Sequence, residues 1–487
     1  MRISSIIPCV RNANGSGHEQ RRQTDGPGKD EVNRMNDFRK TAQEMLEFIR
    51  ISPTCFHAVA NIGRMLEAAG FQQLQEKEEW KLEKGGRYYT ERNDSSVIAF
   101  VIPENEVGIR GFHMAAAHSD SPCFKIKEKP ELTVEEHYLR LNTEKYGGMI
   151  LSTWLDRPLS VAGRLAVKNG NGIEGRLVNI DRDLCVIPNV AIHMNREMNK
   201  GVEYNPQVDL LPLLADVSFD EYDAHTTYDA QTASENAEEQ PETVEKPTLV
   251  ALAAEAAGVD AETILGEDLF LYTRQEGKMI GAKGEFVLSP RLDDLQSAFA
   301  LTKAFTESTP AEYINLCAVF DNEEVGSGTR QGADSTFLED TLQRITEGLQ
   351  EGHSTYLRWV ADSFLISADN AHAVHPNHPE KADPANRPYL NGGIVIKYHG
   401  GQKYTTDGIS AAKMKDYCER AKVPYQTYAN RSDIAGGSTL GNISTAHVSV
   451  SSVDIGLPQL AMHSAVETAG MKDTEYAVRA LKEFWGE

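Results

Sequence analysis

A chain of 487 residues with 40% hydrophobic residues and a formal net charge of -23 is long enough for two domains and a large core. The acidic balance disfavours a nucleic-acid backbone or an anionic membrane surface as partner, because both demand a basic face. No apolar run is long enough to cross a bilayer. Cys9, Cys55, Cys123, Cys185, Cys317 and Cys418 are scattered without a Cys-x-x-Cys pair, so they read as reduced thiols of a cytoplasmic protein.

In chain order, residues 1–34 carry Gly, Asn, Gln and both charge signs around one short apolar spot, which predicts a disordered extension with no signal peptide. Met35 is a candidate translation start. Phe38, Met45, Leu46 and Ile49 fall at helical spacing, and residues 55–69 read as a second helix stopped by Gly70. A first stretch of the main domain thus spans residues 35–124, with short strands at 96–101 and 111–117. The latter strand ends in His118-Ser119-Asp120. Residues two apart on an extended chain share a side, so Asp120 can accept a hydrogen bond from one ring nitrogen of His118 while the other faces a metal. A structural histidine at a strand end is the competing interpretation.

Residues 125–274 change texture to short apolar segments between Gly, Asn and Pro turns, which predicts an inserted β-rich domain. Within it, residues 220–246 hold nine carboxylates against one lysine and are expected to form a flexible acidic loop. A helix near 247–257 leads back to the second stretch of the main domain, residues 275–487.

There Asp293 precedes Leu295, Ala298, Phe299, Thr302 and Phe305 at helical spacing. It is either a helix N-cap or a carboxylate that bridges two metals. The apolar run 314–320 ends in Asp321-Asn322-Glu323-Glu324, and two adjacent carboxylates at the mouth of a sheet repel each other unless a cation holds them or the loop is solvated. A further strand at 364–366 ends near Asp369 and His372, the strand 394–396 delivers Lys397, and the run 448–455 leads to His463. A Gly-rich loop at 431–441 lacks the Gly-Lys-Ser/Thr of a phosphate loop and reads as a pocket wall. Strands alternating with helices predict a doubly wound α/β sheet, whose ligands bind beyond the carboxyl ends of the strands. Two His and three carboxylates, with Asp293 shared, would serve two metals, and such nitrogen and oxygen donors suit Zn²⁺, with Co²⁺ or Mn²⁺ as substitutes.

His118-Ser-Asp120, Ser-Pro-Arg-Leu-Asp293-Asp, Asp-Asn-Glu323-Glu324-Val-Gly-Ser, Ser-Ala-Asp369-Asn-Ala-His372-Ala-Val-His-Pro-Asn and Met-His463-Ser together resemble the M18 metallopeptidases, the aspartyl aminopeptidase family. The resemblance runs from about Phe48 to the C terminus. It implies an α/β metallopeptidase domain of doubly wound, mixed-sheet type with an inserted dimerisation or lid domain, and a homo-oligomer, a dodecamer built from dimers. It also implies one zinc held by His118, Asp293 and Asp369 and another by Asp293, Glu324 and His463. Glu323 matches the general base, which acts on a metal-bridged water. His193 matches a histidine that reaches into a neighbouring subunit's site, and His372 and Lys397 match substrate contacts alongside Glu323 and Asp369. The implied substrates are peptides with a free N terminus, with Asp or Glu preferred as first residue. A preference for neutral first residues is the alternative, and a non-catalytic assembly or cargo-binding relative is a more distant one. Asn370 and the acidic insertion at 220–246 depart from the family pattern without touching a ligand position.

Overall fold

The computed structural model describes residues 29–104, 108–217, 248–434, 436–437 and 439–487. Its centre is a nine-stranded sheet in the order Gln72–Gln73, Arg87–Arg92, Ser96–Val101, Ile314–Phe320, Phe112–His118, Phe364–Ala368, Ser451–Gly456, Ile394–Tyr398 and Tyr425–Ala429. The four strands from Ile314–Phe320 to Ser451–Gly456 run parallel, and antiparallel pairings with Ser96–Val101 and Ile394–Tyr398 flank them. The sheet is therefore mixed.

The central strands are buried at every position, as strands covered on both faces must be. Strict alternation divides them between two cores. Ala115, Ala117, Cys317, Val319 and Ile366 pack with the helices Cys55–Ala68, Leu292–Thr306, Gly408–Ala421 and Asp473–Phe484. Met114, Ala116, Leu316, Ala318 and Leu365 face the helices Phe337–Gly348 and His353–Ala361 on the other side. Helices on both faces make the sheet doubly wound, and the parallel strands deliver their C-terminal ends to one edge of the sandwich.

A second, antiparallel sheet of six strands has the order Gly172–Asn179, Leu159–Asn169, Ile264–Thr273, Cys123–Val134, Tyr138–Tyr146 and Leu213–Asp216. It encloses its own core around Phe124, Leu141, Trp154, Leu165 and Leu271. A third sheet was not foreseen from the sequence. It joins Lys278–Ile280, Phe286–Ser289, Glu467–Gly470, Pro458–Leu460 and Ala371–His372, strands too short and too polar to stand out as a periodic signal.

The expected helices are present with shifted ends. The helix Cys55–Ala68 gives way to Gly70 at φ +83°, a left-handed conformation that glycine adopts without a Cβ clash. The first helix begins at Lys29, so the disordered extension expected over residues 1–34 is corrected for residues 29–34. Glu31 and Arg34, good helix formers, carry the helix upstream. The remainder of that extension, and the acidic loop over residues 220–246, lie outside the described residues. Cys55, Cys123, Cys185, Cys317 and Cys418 are free thiols, and Cys9 also lies outside the described residues. Among the described residues no helix is long and apolar enough to cross a membrane.

Leu316 is wholly buried in the middle of the central sheet. Leu316→Ala is expected to cost about 3 kcal/mol through lost transfer energy and a residual cavity. Urea unfolding followed by tryptophan fluorescence measures it, and a loss below about 1 kcal/mol would show that this core relaxes around the gap.

Candidate metal centre

The Phe112–His118 strand carries His118 to the sheet's C-terminal edge, where its imidazole is 1% exposed. Nδ1 lies 3.1 Å from the backbone oxygen of Asp120 and 3.4 Å from its carboxylate. Nε2 is thereby turned toward Asp293 Oδ1 at 3.6 Å and Asp369 Oδ1 at 4.0 Å. The other oxygen of Asp293 lies 3.5 Å from His463 Nε2, and that same nitrogen is 3.4 Å from Glu324 Oε1. One carboxylate thus stands between two histidines. His118, Asp293 and Asp369 form one group whose potential ligand atoms lie within 4.8 Å of each other, and Asp293, Glu324 and His463 form another.

Asp293 does not cap its helix. Its Oδ1 has no hydrogen-bond partner and its Oδ2 faces His463 Nε2, so neither oxygen accepts a backbone N–H at the helix start. The N-cap alternative is therefore set aside, and the carboxylate points into the cluster instead. Its backbone is held by others: Glu467 Oε2 accepts from the Asp293 N–H at 3.0 Å, and Ser121 Oγ donates to the Asp293 carbonyl at 2.8 Å. Glu467 Oε1 also accepts from the His463 N–H at 2.7 Å. This single buried carboxylate ties together the chain segments that present Asp293 and His463.

Asp120 does more than accept from His118. Its oxygens receive the backbone N–H groups of Glu323 at 3.1 Å and Glu324 at 3.2 Å, fixing the 3₁₀ turn Glu323–Val325 at its N-terminal end, where a negative charge is favoured. Tyr146, from the six-stranded sheet, donates to Asp120 at 2.7 Å, and Asn322 Nδ2 donates to the Tyr146 hydroxyl at 2.8 Å. Asn322 itself adopts φ 64°, a left-handed position that Asn tolerates.

Charge dominates the electrostatics. Burial pushes Glu323 up to about 7, aided by Asp369 and Asp120 against the pull of His118. It pushes Glu324 well above the ordinary carboxylate range, with Asp293 alongside, and Glu467 to about 8, again with Asp293. Asp369 is also raised by burial, an effect that the Lys397 ammonium at 3.1 Å opposes. For Asp293 burial acts upward too, but His118 and His463 outweigh it and hold the carboxyl well below its usual value. Asp293 Oδ1 and Glu324 Oε1 are buried with no hydrogen-bond partner, whereas buried polar atoms normally have one. Unpartnered carboxylate oxygens facing imidazole nitrogens fit a cation with mixed nitrogen and oxygen ligands, and the donor set suits zinc.

The remaining expected residues fall into two groups. His372 stands exposed at the edge of the third sheet, and Lys397 is buried against Asp369, its ammonium 5.5 Å from the centre of the Tyr404 ring. His193 lies in an exposed turn, outside the clustered ligand groups. Glu467, Tyr146 and Asn322 were not singled out from the sequence. For Glu467 there was a faint signal, a lone acid four residues after His463 flanked by small and apolar residues. Tyr146 and Asn322 carry none.

The family described as aminopeptidase I zinc metalloprotease (M18) matches residues 48–485. A protein of Clostridium novyi named probable M18 family aminopeptidase 2 is 46% identical over 448 residues, 92% of this chain and 98% of its own. A Pseudomonas putida protein of the same name is 40% identical, covering 91% of this chain and 97% of its own. Among solved structures, the complex of Ape4 and Nbr1 contains a chain with a TM-score of 0.84 and 36% identity, covering 92% of this chain and 86% of that one. The S. cerevisiae mApe1 dodecamer matches with a TM-score of 0.76 and 25% identity over 92% of this chain and 97% of that one.

The pKa shifts fix how the metal-free protein responds to pH. Glu323 and Glu467 bind protons more tightly folded than unfolded, so their contribution is favourable at low pH and is lost as pH rises through about 7 and about 8. His118 and His463, also raised, act in the same sense. The melting temperature of chelator-treated protein should therefore fall from about pH 6 to about pH 8.5. Added zinc should raise it most at the alkaline end, since metal displaces those protons. A flat or rising profile would contradict this account of the site.

Proposed function

The chain belongs to the M18 family and is a metalloaminopeptidase, and on that premise we propose that it uses two zinc ions to remove an N-terminal Asp or Glu from peptides. The observation that carries this is Asp293, whose two oxygens face different histidines in two overlapping ligand groups. His118, Asp293 and Asp369 would hold one ion, and Asp293, Glu324 and His463 the other. Zinc in those positions would supply Lewis acidity and lower the pKa of a water, and Co²⁺ or Mn²⁺ could replace it.

The chain's own residues do the rest. Glu323, which lies with His118 and Glu324 at the cluster, is suited to take a proton from the attacking water and return it to the leaving amine. Asp120 keeps the His118 ring turned and the Glu323 backbone fixed. Lys397, held in the site by Asp369, would meet an acidic first side chain, with His372 at the rim. A preference for neutral first residues is the second reading, and the close Lys397–Asp369 pair favours it, because it already satisfies much of that ammonium's charge. Relative kcat/KM on Asp-, Glu- and Leu-anilides decides between the two.

The inserted β-rich segment, residues 125–274, would serve as the dimerisation domain of a homo-oligomer. Its exposed turn surrounds His193 with Val190, Ile192 and Met194, all strongly exposed apolar side chains of the kind that marks an interface. A structural relative is described as a dodecamer, and we extend that assembly to this chain. His193 would then stabilise the oxyanion of a neighbouring subunit's substrate.

Glu323→Gln should keep metal content near that of the unmodified protein and reduce turnover about a hundredfold or more, whereas Asp293→Ala should lose metal as well as activity. Full turnover in Glu323→Gln with metal bound would remove Glu323 as the base. His193→Phe should cost about a hundredfold alone. Mixed assemblies of His193→Phe with Asp293→Ala chains should regain activity wherever an intact ligand set meets an intact histidine. No recovery in hybrids verified by native mass measurement would confine His193 to its own subunit or exclude it from the reaction.

A further inference from the structure

Building on the aminopeptidase reading, we propose that a basic groove running outward from the metal centre binds a carboxylate of the peptide downstream of the scissile bond, with His375, His378 and Lys381 as the specificity-determining residues. The groove is lined by these three, by His372 and by residues 459–461. Its position follows from the chain. Its floor is built on the strand Ala371–His372, which follows Asp369, and on its neighbour Pro458–Leu460, which precedes His463 in the chain. The two strands pair in parallel, and the Ala373 N–H donates to the Gln459 carbonyl at 2.8 Å. The groove therefore starts at two ligand-bearing segments and leads away from them.

The chemistry of the lining points to an anion. In a chain of net charge -23, which repels acidic peptides at long range, the lining contains three histidines and a lysine and no carboxylate. The His375 and His378 rings lie 5.3 Å apart at a tilt of 35°. His375 Nδ1 accepts from the Asn377 N–H at 3.2 Å, so its ring proton sits on Nε2, the free donor. His378 Nδ1 lies 3.1 Å from Glu380 Oε1 at the groove's margin, which orients that ring. Lys381 adds a flexible ammonium. Donors together with the small apolar side chains Ala373 and Ala461 in the lining suit an acidic side chain just past the cleaved bond, or the terminal carboxylate of a very short peptide.

The groove shares His372 with the rim of the first-residue site but extends past it through His375, His378 and Lys381, and that separates the two readings experimentally. Aminoacyl anilides, which have no downstream residue, report the aminopeptidase reaction alone. Tripeptides that share the best first residue and carry Glu, Ala or Lys second, each as free acid and as C-terminal amide, report the groove. With the unmodified protein, kcat/KM should favour Glu over Lys about tenfold, as expected for a few solvent-exposed charge contacts. The difference should lie in KM and shrink as salt is added. A loss on amidation that does not depend on the second residue would identify the terminal carboxylate as the bound group. His375→Ala/His378→Ala should bring the Glu/Lys ratio close to one, and Lys381→Glu should invert it, with anilide turnover unchanged in both. Anilide cleavage with a Glu/Lys ratio near one in the unmodified protein, or with a ratio that the variants leave intact, overturns the groove assignment but not the aminopeptidase reading. So does a variant effect confined to first-residue preference on anilides. Failure to cleave anilides and peptides alike overturns both.

Discussion

The structure turns on negative charge that has been taken out of water. Asp120, Asp293, Glu323, Glu324, Asp369 and Glu467 converge where the parallel strands end, and isolated ionised carboxylates in such surroundings cost several kcal/mol each. Backbone N–H groups, two imidazoles, one ammonium and protons offset part of that cost. What is left over is the capacity to bind cations. The doubly wound sheet makes the concentration of charge tolerable, because its two cores fix the strand ends rigidly enough that the carboxylates cannot swing apart into solvent.

Much of this was legible in the sequence because the central strands are buried on both sides. Runs such as residues 314–320 could hardly be anything but core strands, and His118, Glu324 and Asp369 lay just beyond such runs. The helix Leu292–Thr306 also showed in its spacing, but the geometry at its start did not. An Asp before an apolar helix is ordinarily a cap, and only the pull of Glu467 and Ser121 on the Asp293 backbone explains why this one is turned inward. The third sheet stayed hidden for a different reason. Strands of two to four residues, such as Ala371–His372 and Pro458–Leu460, owe their form to neighbours distant in sequence and carry no periodicity of their own. Residues such as Tyr146, whose role is to hold other residues in place, are invisible from the chain alone, because their partners are revealed only by folding.

His193 shows the opposite case. The motif around it could be read, yet within one subunit it stands in solvent beside exposed apolar side chains. The role proposed for His193, on another chain, would leave no trace in the contacts of its own. Its surroundings, by contrast, are informative, since apolar side chains clustered on a turn are costly to leave wet.

The Tyr146 hydroxyl belongs to the six-stranded sheet, yet it bonds Asp120 and Asn322, which follow the strands Phe112–His118 and Ile314–Phe320 of the nine-stranded one. The two layers therefore meet at a phenol in direct contact with the supports of His118 and Glu323. For anyone recombining such proteins, the six-stranded sheet is not an exchangeable module. A donor sheet would have to present a hydroxyl at that same point, or the crossing would leave the recipient's reaction machinery without one of its struts. Lineages that vary this segment are thus expected to do so at its loops and outer face, while the strand that bears the phenol is inherited together with Asp120 and Asn322.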